Sequence, residues 1–554
     1  MGTTTRGGGP AGGRDFGQDA GGDPPRPRRP GRSRRLASLE RLSSVVVLAV
    51  ILAGAAQRWW AAAHPIGTLT SDGAVIGLMA LRLLHHGQLT AYMWGQSYGG
   101  SLEATLTAAV LAVAGVGTSQ LLATTALSSA LCAVALWRAG RHLAGDPAAR
   151  IAALAFWVWP ASFLWRSVKP GGTYLVGLAI ALCAVGALAR INQGDRGWRR
   201  CAVAGWWCGL ALWSSPMSLE LLIPAALWCA PAIARLRLGL LAMGAGAAAG
   251  GLPALIFGAT HSWTNVRMPG SQPGLAAGFA GRFGQFFSTE APIALGVRVE
   301  GSLAWVGGHL GEALAWAAAA ALAATAAAVL AGRAPRCRLP ILTLALLPFL
   351  YAYIPLADHA GQGRYVLFAV PMAALLIGIA FTRAGTFARA GTFARAGTFA
   401  RTGTAGTAIA GLALACALGT AGLHAEPGRE LVAFPAPDVA MPVNDSTLLS
   451  LLAAHQVKDA YAPYWIAYRV MFETEGRTLV TPYDNDRYPP IAAAVAASPD
   501  PAYLLITVSP TVGALEAWCG TSHIGYQAWH LGAFTIVRPA ADVSPGMLPR
   551  AALS

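Results

Sequence analysis

The sequence predicts an all-α polytopic membrane protein of about eleven to thirteen transmembrane helices, with a small extracytoplasmic α/β domain at its C-terminal end. Hydrophobic residues make up 55% of the 554 positions and charged residues 12%, which lies outside the soluble range and excludes a soluble enzyme. Apolar runs near bilayer-crossing length recur from Leu42 to about residue 424. Beyond that point the runs shorten, and strand-like pieces alternate with helical ones.

Residues 1–41 are rich in Gly, Pro and Arg, ending in RPRRPGRSRR at Arg26 to Arg35. They read as a disordered, basic cytoplasmic tail. Leu42 to Ala63 is long enough to span a bilayer, and Trp59 and Trp60 suit an interfacial aromatic belt. The net charge of +15 is concentrated in the tail and in the connectors Arg138–Arg150, Arg190–Arg200, Arg235–Arg237, Arg333–Arg338 and Arg383–Arg401. This is a positive-inside signal, not a nucleic-acid groove, and no nucleic-acid partner is expected.

Those connectors bound further spans at 119–137, 150–168, 173–191, 201–215, 216–234, 239–258, 311–331, 339–357, 364–382 and 404–424. Counting 102–117 as a full crossing would put the Arg138–Arg150 connector outside, so it is expected to be short and partly inserted or re-entrant. The resulting transmembrane domain, 42–424, has a first extracytoplasmic loop at 64–101 and a second large loop at 259–301. The second, with Arg282 and Gln285, is read as an ordinary connector, with a lid as the alternative. A cytoplasmic loop at 383–403 carries the hexapeptide RAGTFA repeat, read as a tolerated low-complexity expansion.

In residues 425–554 acidic residues outnumber basic ones by 12 to 7, and Cys519 is the one cysteine, so no disulfide forms within this domain. No cysteine elsewhere has metal-site spacing.

Chemistry concentrates in the first loop. Asp72 follows the first span closely, and Glu103 lies 31 residues later. Lys169, in WRSVKPGGTY, is one of only two lysines against 38 arginines. It is either a snorkelling cation or a compact charge facing a phosphate, with Gly171 and Gly172 allowing close backbone approach. Arg364, followed by Tyr365, either pairs with Asp358 or binds a phosphodiester bidentately. Two carboxylates and two cations on one face suit an enzyme that clamps a polyprenyl phosphate and deprotonates an acceptor.

The stretch SDGAVIGLMALRLLHHGQ followed by WGQSYGGSLEA resembles the first extracytoplasmic loop of the GT-C superfamily of lipid-dependent glycosyltransferases, in the branch of protein O-mannosyltransferases and lipid A aminoarabinose transferases. VKPGGTY, GRYVLFAVP and PYWIAYRVMFETEGRTLVTPYDNDRYPP resemble actinobacterial members of the group. The resemblance implies an inverting transfer of a sugar from a polyprenyl-phosphate donor to an extracytoplasmic glycan, lipid or protein. Asp72 would be the base or acceptor-orienting carboxylate, supported by Glu103 directly or through a divalent cation such as magnesium or manganese held by the two. Lys169, Arg364, Tyr174 and Tyr365 would hold the donor phosphate, while Gln96, Tyr98 and His85 would contact substrate. Gly73 stands where many members carry a second acidic residue. Two rivals remain: a flippase for a lipid-linked saccharide, and an inactive envelope scaffold.

Overall fold

The computed structural model describes residues 31–390 and 431–548, apart from 65–67, 160, 237, 268–277, 300–302, 306–307, 333–336, 354–360, 362, 434–439 and 443. The chain divides into two compact units, Met1–Leu48 and Ala49–Ser554. Helix α1 runs Gly31–Ala63, so residues 31–41, expected to be disordered, are helical. The tail before Gly31, the 391–401 part of the repeat, Asp358 and the expected span at 404–424 lie outside the described residues.

The first loop is largely helical. Helix α2, Ser71–His86, starts where the Thr70 hydroxyl accepts the Gly73 N–H, and stops at Gly87, whose φ of 64° suits a left-handed cap. Helix α3, Leu102–Ala114, has 13 residues. Its length of about 20 Å falls short of the roughly 30 Å hydrocarbon core, as expected for a segment that does not cross.

The body continues with α4 (Thr118–Ala144), α5 (Asp146–Trp157), α6 (Ala161–Arg166), α7 (Tyr174–Asn192), α8 (Trp198–Ser214), α9 (Leu219–Ile233), α10 (Leu238–Gly250) and α11 (Leu252–Thr260). Next come α12 (Phe279–Gln285), α13 (Ala291–Ala294), α14 (His309–Ala331), α15 (Arg338–Tyr353), a 3-10 turn at Arg364–Ala369 and α16 (Val370–Ala390). Among the described residues six helices are long and apolar enough to cross a membrane, or seven if α10 and α11, bent by 67°, form one span. Expected spans at 201–215 and 339–357 correspond to α8 and α15, of 17 and 16 residues. The span expected at 150–168 is instead two helices, α5 and α6.

Helices α4, α5, α7, α9 and α16 enclose the main apolar core. Small residues set the closest approach. A Cβ on Gly205 would meet the Met243 carbonyl oxygen at 1.9 Å, and one on Gly246 the Ala202 oxygen at 2.0 Å. With Gly209 and Gly250 one turn further along, α8 and α10 touch backbone to backbone.

The C-terminal domain opens with a two-stranded ribbon, β1 (Leu431–Ala433) and β2 (Ala440–Pro442). Then follow α17 (Ser446–Ala454), β3 (Asp459–Ala462), α18 (Tyr464–Glu473), β4 (Leu479–Pro482), α19 (Pro489–Ala496), β5 (Ala502–Ile506), α20 (Pro510–Thr521), β6 (Tyr526–Leu531) and β7 (Phe534–Pro539). The five-stranded sheet has the order β4-β3-β5-β7-β6, with β4, β3 and β5 parallel and β7 antiparallel to both its neighbours.

Helix α18 is buried on two sides. Ile466, Ala467 and Val470 pack on the sheet. Tyr464, Tyr468, Met471 and Phe472 form a stripe at helical spacing that packs with Ala74, Ile76 and Leu78 of α2. The domain is thereby docked on the first loop.

Candidate active site at the first loop

Asp72 is the second residue of α2, and its side chain is 36% exposed. The Tyr464 hydroxyl donates to its Oδ1 at 2.5 Å, and Arg487 Nη2 lies 3.6 Å from the same oxygen. Oδ2 has no protein partner among the described residues. The Ser71 hydroxyl donates to the Tyr464 carbonyl, tying the two helix starts together.

Tyr464 and Arg487 follow the carboxyl ends of the adjacent parallel strands β3 and β4, where α/β sheets place ligand sites. The turn that presents Arg487 is built in advance. Asp484 accepts the Tyr464 N–H at 3.1 Å, Asp486 accepts the Tyr488 N–H at 2.8 Å, and the Tyr468 hydroxyl accepts the Arg487 N–H at 2.7 Å. Gly95, with φ of 70°, lets the first loop pass beside it, because a Cβ there would come within 2.8 Å of the Arg487 Cα. Trp94 stacks on Tyr488 at 4.0 Å between ring centroids.

Arg364 reaches the cluster from the opposite side. It begins a 3-10 turn capped by Gly363, whose N–H and that of Gly361 donate to the Glu290 carboxylate at 3.1 and 2.6 Å. Glu290 is fully buried, and burial raises its carboxyl above the ordinary range, opposed by those two N–H groups and by Arg166 and Arg364. Arg364 sits 4.9 Å over the Tyr365 ring and within electrostatic range of Tyr174 and Asp72. Tyr98 completes the ring: burial raises its phenol, followed by Tyr174, while Arg487 and Arg364 oppose the shift and Asp72 adds to it.

Asp72, Tyr98, Tyr174, Arg364 and Tyr365 therefore come together, joined by Arg487 and Tyr464, to which sequence reasoning gave no role. One carboxylate and two guanidinium groups leave the cluster with an excess positive charge. The Nε atoms of Arg364 and Arg487 are both buried without a hydrogen-bond partner among the described residues. An unmet buried donor costs about 1–3 kcal/mol, and the remaining guanidinium N–H groups give the cluster the chemistry to hold an anion.

Other expected residues stand elsewhere. Glu103 is 2% exposed. It binds the N–H groups of Gly172 and Gly171 and the Thr125 hydroxyl, and burial pushes its carboxyl up to about 7. It shares none of these partners with Asp72, so it braces the 169–173 turn instead of supporting Asp72 directly. Lys169 is 8% exposed and donates to the Thr68 carbonyl oxygen, with burial holding its amine down at about 7 and Arg469 and Arg166 adding to the effect. It is a buried strut of the same turn, not an open phosphate clamp.

His85 is exposed near the far end of α2, about 20 Å from Asp72 at the helical rise, and lies outside the cluster. Gln96 is half-buried in the turn next to Gly99. Asp72 and Glu103 do not make the metal pair either. The Glu103 carboxylate is taken by amide and hydroxyl donors, and no group of three His, Cys, Asp or Glu suited to a metal occurs among the described residues. The second loop, 259–301, is folded through α12 and α13 and supplies Glu290, while Arg282 donates to the Ala352 carbonyl at 2.8 Å.

This arrangement, a helical membrane body, a first loop built from two short helices and a C-terminal α/β domain seated on that loop, is similar in fold to solved structures of other proteins. The apo structure of ArnT from Cupriavidus metallidurans matches over 92% of this chain and 98% of its own, with a TM-score of 0.57 at 10% identity. The same protein bound to undecaprenyl phosphate matches over 90% and 97%, with a TM-score of 0.55 at 11% identity. The Archaeoglobus fulgidus oligosaccharyltransferase, in complex with zinc and sulfate, matches over 91% of this chain and 74% of its own, with a TM-score of 0.52 at 13% identity. At these identities the likeness is one of fold. No family model and no curated relative matches the sequence.

Proposed function

We propose that this protein is an integral-membrane glycosyltransferase that moves a sugar from a polyprenyl-phosphate donor to an acceptor hydroxyl outside the cytoplasm, with inversion at the anomeric carbon. The observation that carries the reading is the pair of half-buried guanidinium groups, Arg364 and Arg487, beside the half-exposed Asp72. The fold it shares with ArnT, one structure of which holds undecaprenyl phosphate, supports the choice of donor. The positive-inside pattern supports an N-terminus in the cytoplasm and a C-terminal domain outside.

In the reaction the acceptor oxygen bonds to the anomeric carbon as the bond from that carbon to the phosphate oxygen breaks. The acceptor proton passes to Asp72 Oδ2, and the polyprenyl phosphate departs with the bonding electron pair. Tyr464 and Arg487 hold Asp72 through Oδ1. Arg364 and Arg487 take up the charge that builds on the leaving phosphate, with Tyr98, Tyr174 and Tyr365 as hydroxyl donors around it. No step is routed through a cation, because Asp72 and Glu103 do not form a ligand set.

The test is sugar transfer by purified protein in lipid nanodiscs, from a panel of radiolabelled polyprenyl-phosphate sugars to envelope extract. Asp72→Asn is expected to lower turnover by about a hundredfold or more at unchanged thermal stability, and EDTA is expected to leave turnover intact. Equal activity in wild type and Asp72→Asn would remove Asp72 from the chemistry. Donor binding without turnover under any condition would favour a carrier or scaffold instead.

A further inference from the structure

A cavity of about 650 Å³ opens on the far side of α18 from Asp72. Its walls are the end of α1, the Thr68–Leu69 stretch before α2, the turn between α3 and α4, and the starts of α17 and the end of α18. Helix α18 serves both places: Tyr464 donates to Asp72, whereas Arg469, Phe472 and Glu473 line the cavity.

The floor of this cavity is an ion pair. Arg469 Nη2 lies 2.7 Å from Asp445 Oδ1, and the two side chains are 2% and 1% exposed. Both Asp445 oxygens are buried, with Arg469 and Glu473 as their hydrogen-bonding neighbours. Glu473 sits against Asp445 and takes a hydrogen bond from Thr118, and burial, reinforced by Asp445, raises its carboxyl to about 8. Near neutral pH the floor therefore carries little net charge but many hydrogen-bonding groups. Asn444, Thr118 and Ser446 extend that character toward the rim, and Phe472 supplies an apolar face.

The wall mixes apolar side chains, among them Leu69, Val116, Leu122, Leu449 and Phe472, with these polar groups, and its one arginine is already paired with a carboxylate, which disfavours a phosphate. Vicinal hydroxyls on a carbon ring match both features, as does the size, which lies within the usual range for small-molecule sites. Leu69, in the wall, precedes Asp72 by three residues, so their Cα atoms lie within about 11 Å of each other even for fully extended chain.

We propose that this cavity is a saccharide subsite that holds sugar units of the acceptor next to the reacting hydroxyl; its role in transfer, though not its binding, rests on the transferase reading. The test is saturation-transfer NMR on the full-length protein in nanodiscs with free neutral trisaccharides of mannose, arabinose and glucose. Inorganic phosphate at the same concentration serves as a competitor.

Wild type is expected to transfer saturation to at least one trisaccharide, unaffected by phosphate, and Asp72→Asn is expected to do the same. Ser446→Trp, on an exposed rim position that leaves the ion pair intact, is expected to weaken binding roughly tenfold or more at unchanged thermal stability. Asp445→Asn is expected to weaken it as well. No saturation transfer to any trisaccharide, transfer displaced by phosphate, or equal transfer in wild type and Ser446→Trp would overturn the proposal. Saccharide binding that obeys these expectations in a protein without sugar turnover would retain the subsite and sink the transferase reading alone.

Discussion

At the scale of single residues, two buried groups give the protein opposite responses to pH. Glu103 holds its proton up to about 7 in the folded state, against an ordinary 4.5. Between those values the folded chain binds more protons than the unfolded one, so this group makes stability fall as pH rises. Lys169 loses its proton at about 7 when folded and at 10.5 when exposed. Across that window the unfolded chain binds more protons, so stability rises with pH. Glu103→Gln should flatten the decline below pH 7, and Lys169→Met the rise above it, each by on the order of 3–5 kcal/mol. Thermal melts in detergent across the pH range measure both slopes, and an unchanged slope in either variant would contradict its assignment.

The guanidinium groups are a second matter of residue chemistry. A lysine keeps the charge but loses the planar fork that contacts a phosphate through two parallel hydrogen bonds. Arg487→Lys and Arg364→Lys are each expected to raise the KM for the polyprenyl-phosphate sugar about tenfold, or 1.4 kcal/mol. An unchanged KM in both would mean that the two side chains only support Asp72.

At the scale of elements, α8 and α10 are the most exacting pair. Their glycines at 205, 209, 246 and 250 face carbonyl groups, not mobile side chains, so no rotamer change can relieve an added Cβ. Gly205→Leu should force the helices apart and lower the melting temperature, whereas the same change at Gly244, where nothing lies within 4 Å, should be mild. Equal effects at the two positions would rule out the close packing. The elements themselves were legible in the sequence wherever an apolar run was long, as in α4, α7 and α14. The break between α5 and α6 was not, because a continuous apolar run records burial and says nothing about a bend.

At the scale of the whole molecule, the site is a seam between the first loop and the last domain. Asp72, Tyr174 and Arg364 could be proposed from sequence because each is a polar group at the edge of an apolar run. Tyr464 and Arg487 could not, since their turns look ordinary until β3 and β4 pair and α18 docks. Glu103 was drawn toward Asp72 by proximity in sequence, yet its place on α3 turns it to Gly171 and Gly172. The stack of Trp94 on Tyr488 pins the seam, and removing either ring costs about 1 kcal/mol beyond lost area. Trp94→Ala and Tyr488→Ala should therefore slow transfer together, and the double variant should lose no more than the worse single one. Additive losses would show that the rings act separately.

The bond from Tyr464 to Asp72 joins groups 392 residues apart. A ribosome releases Asp72 long before Tyr464, so through that interval the carboxylate has neither the hydroxyl that holds it nor Arg487 beside it. A polypeptide that stops short of Tyr464 would therefore carry the helical body yet leave this carboxylate unheld.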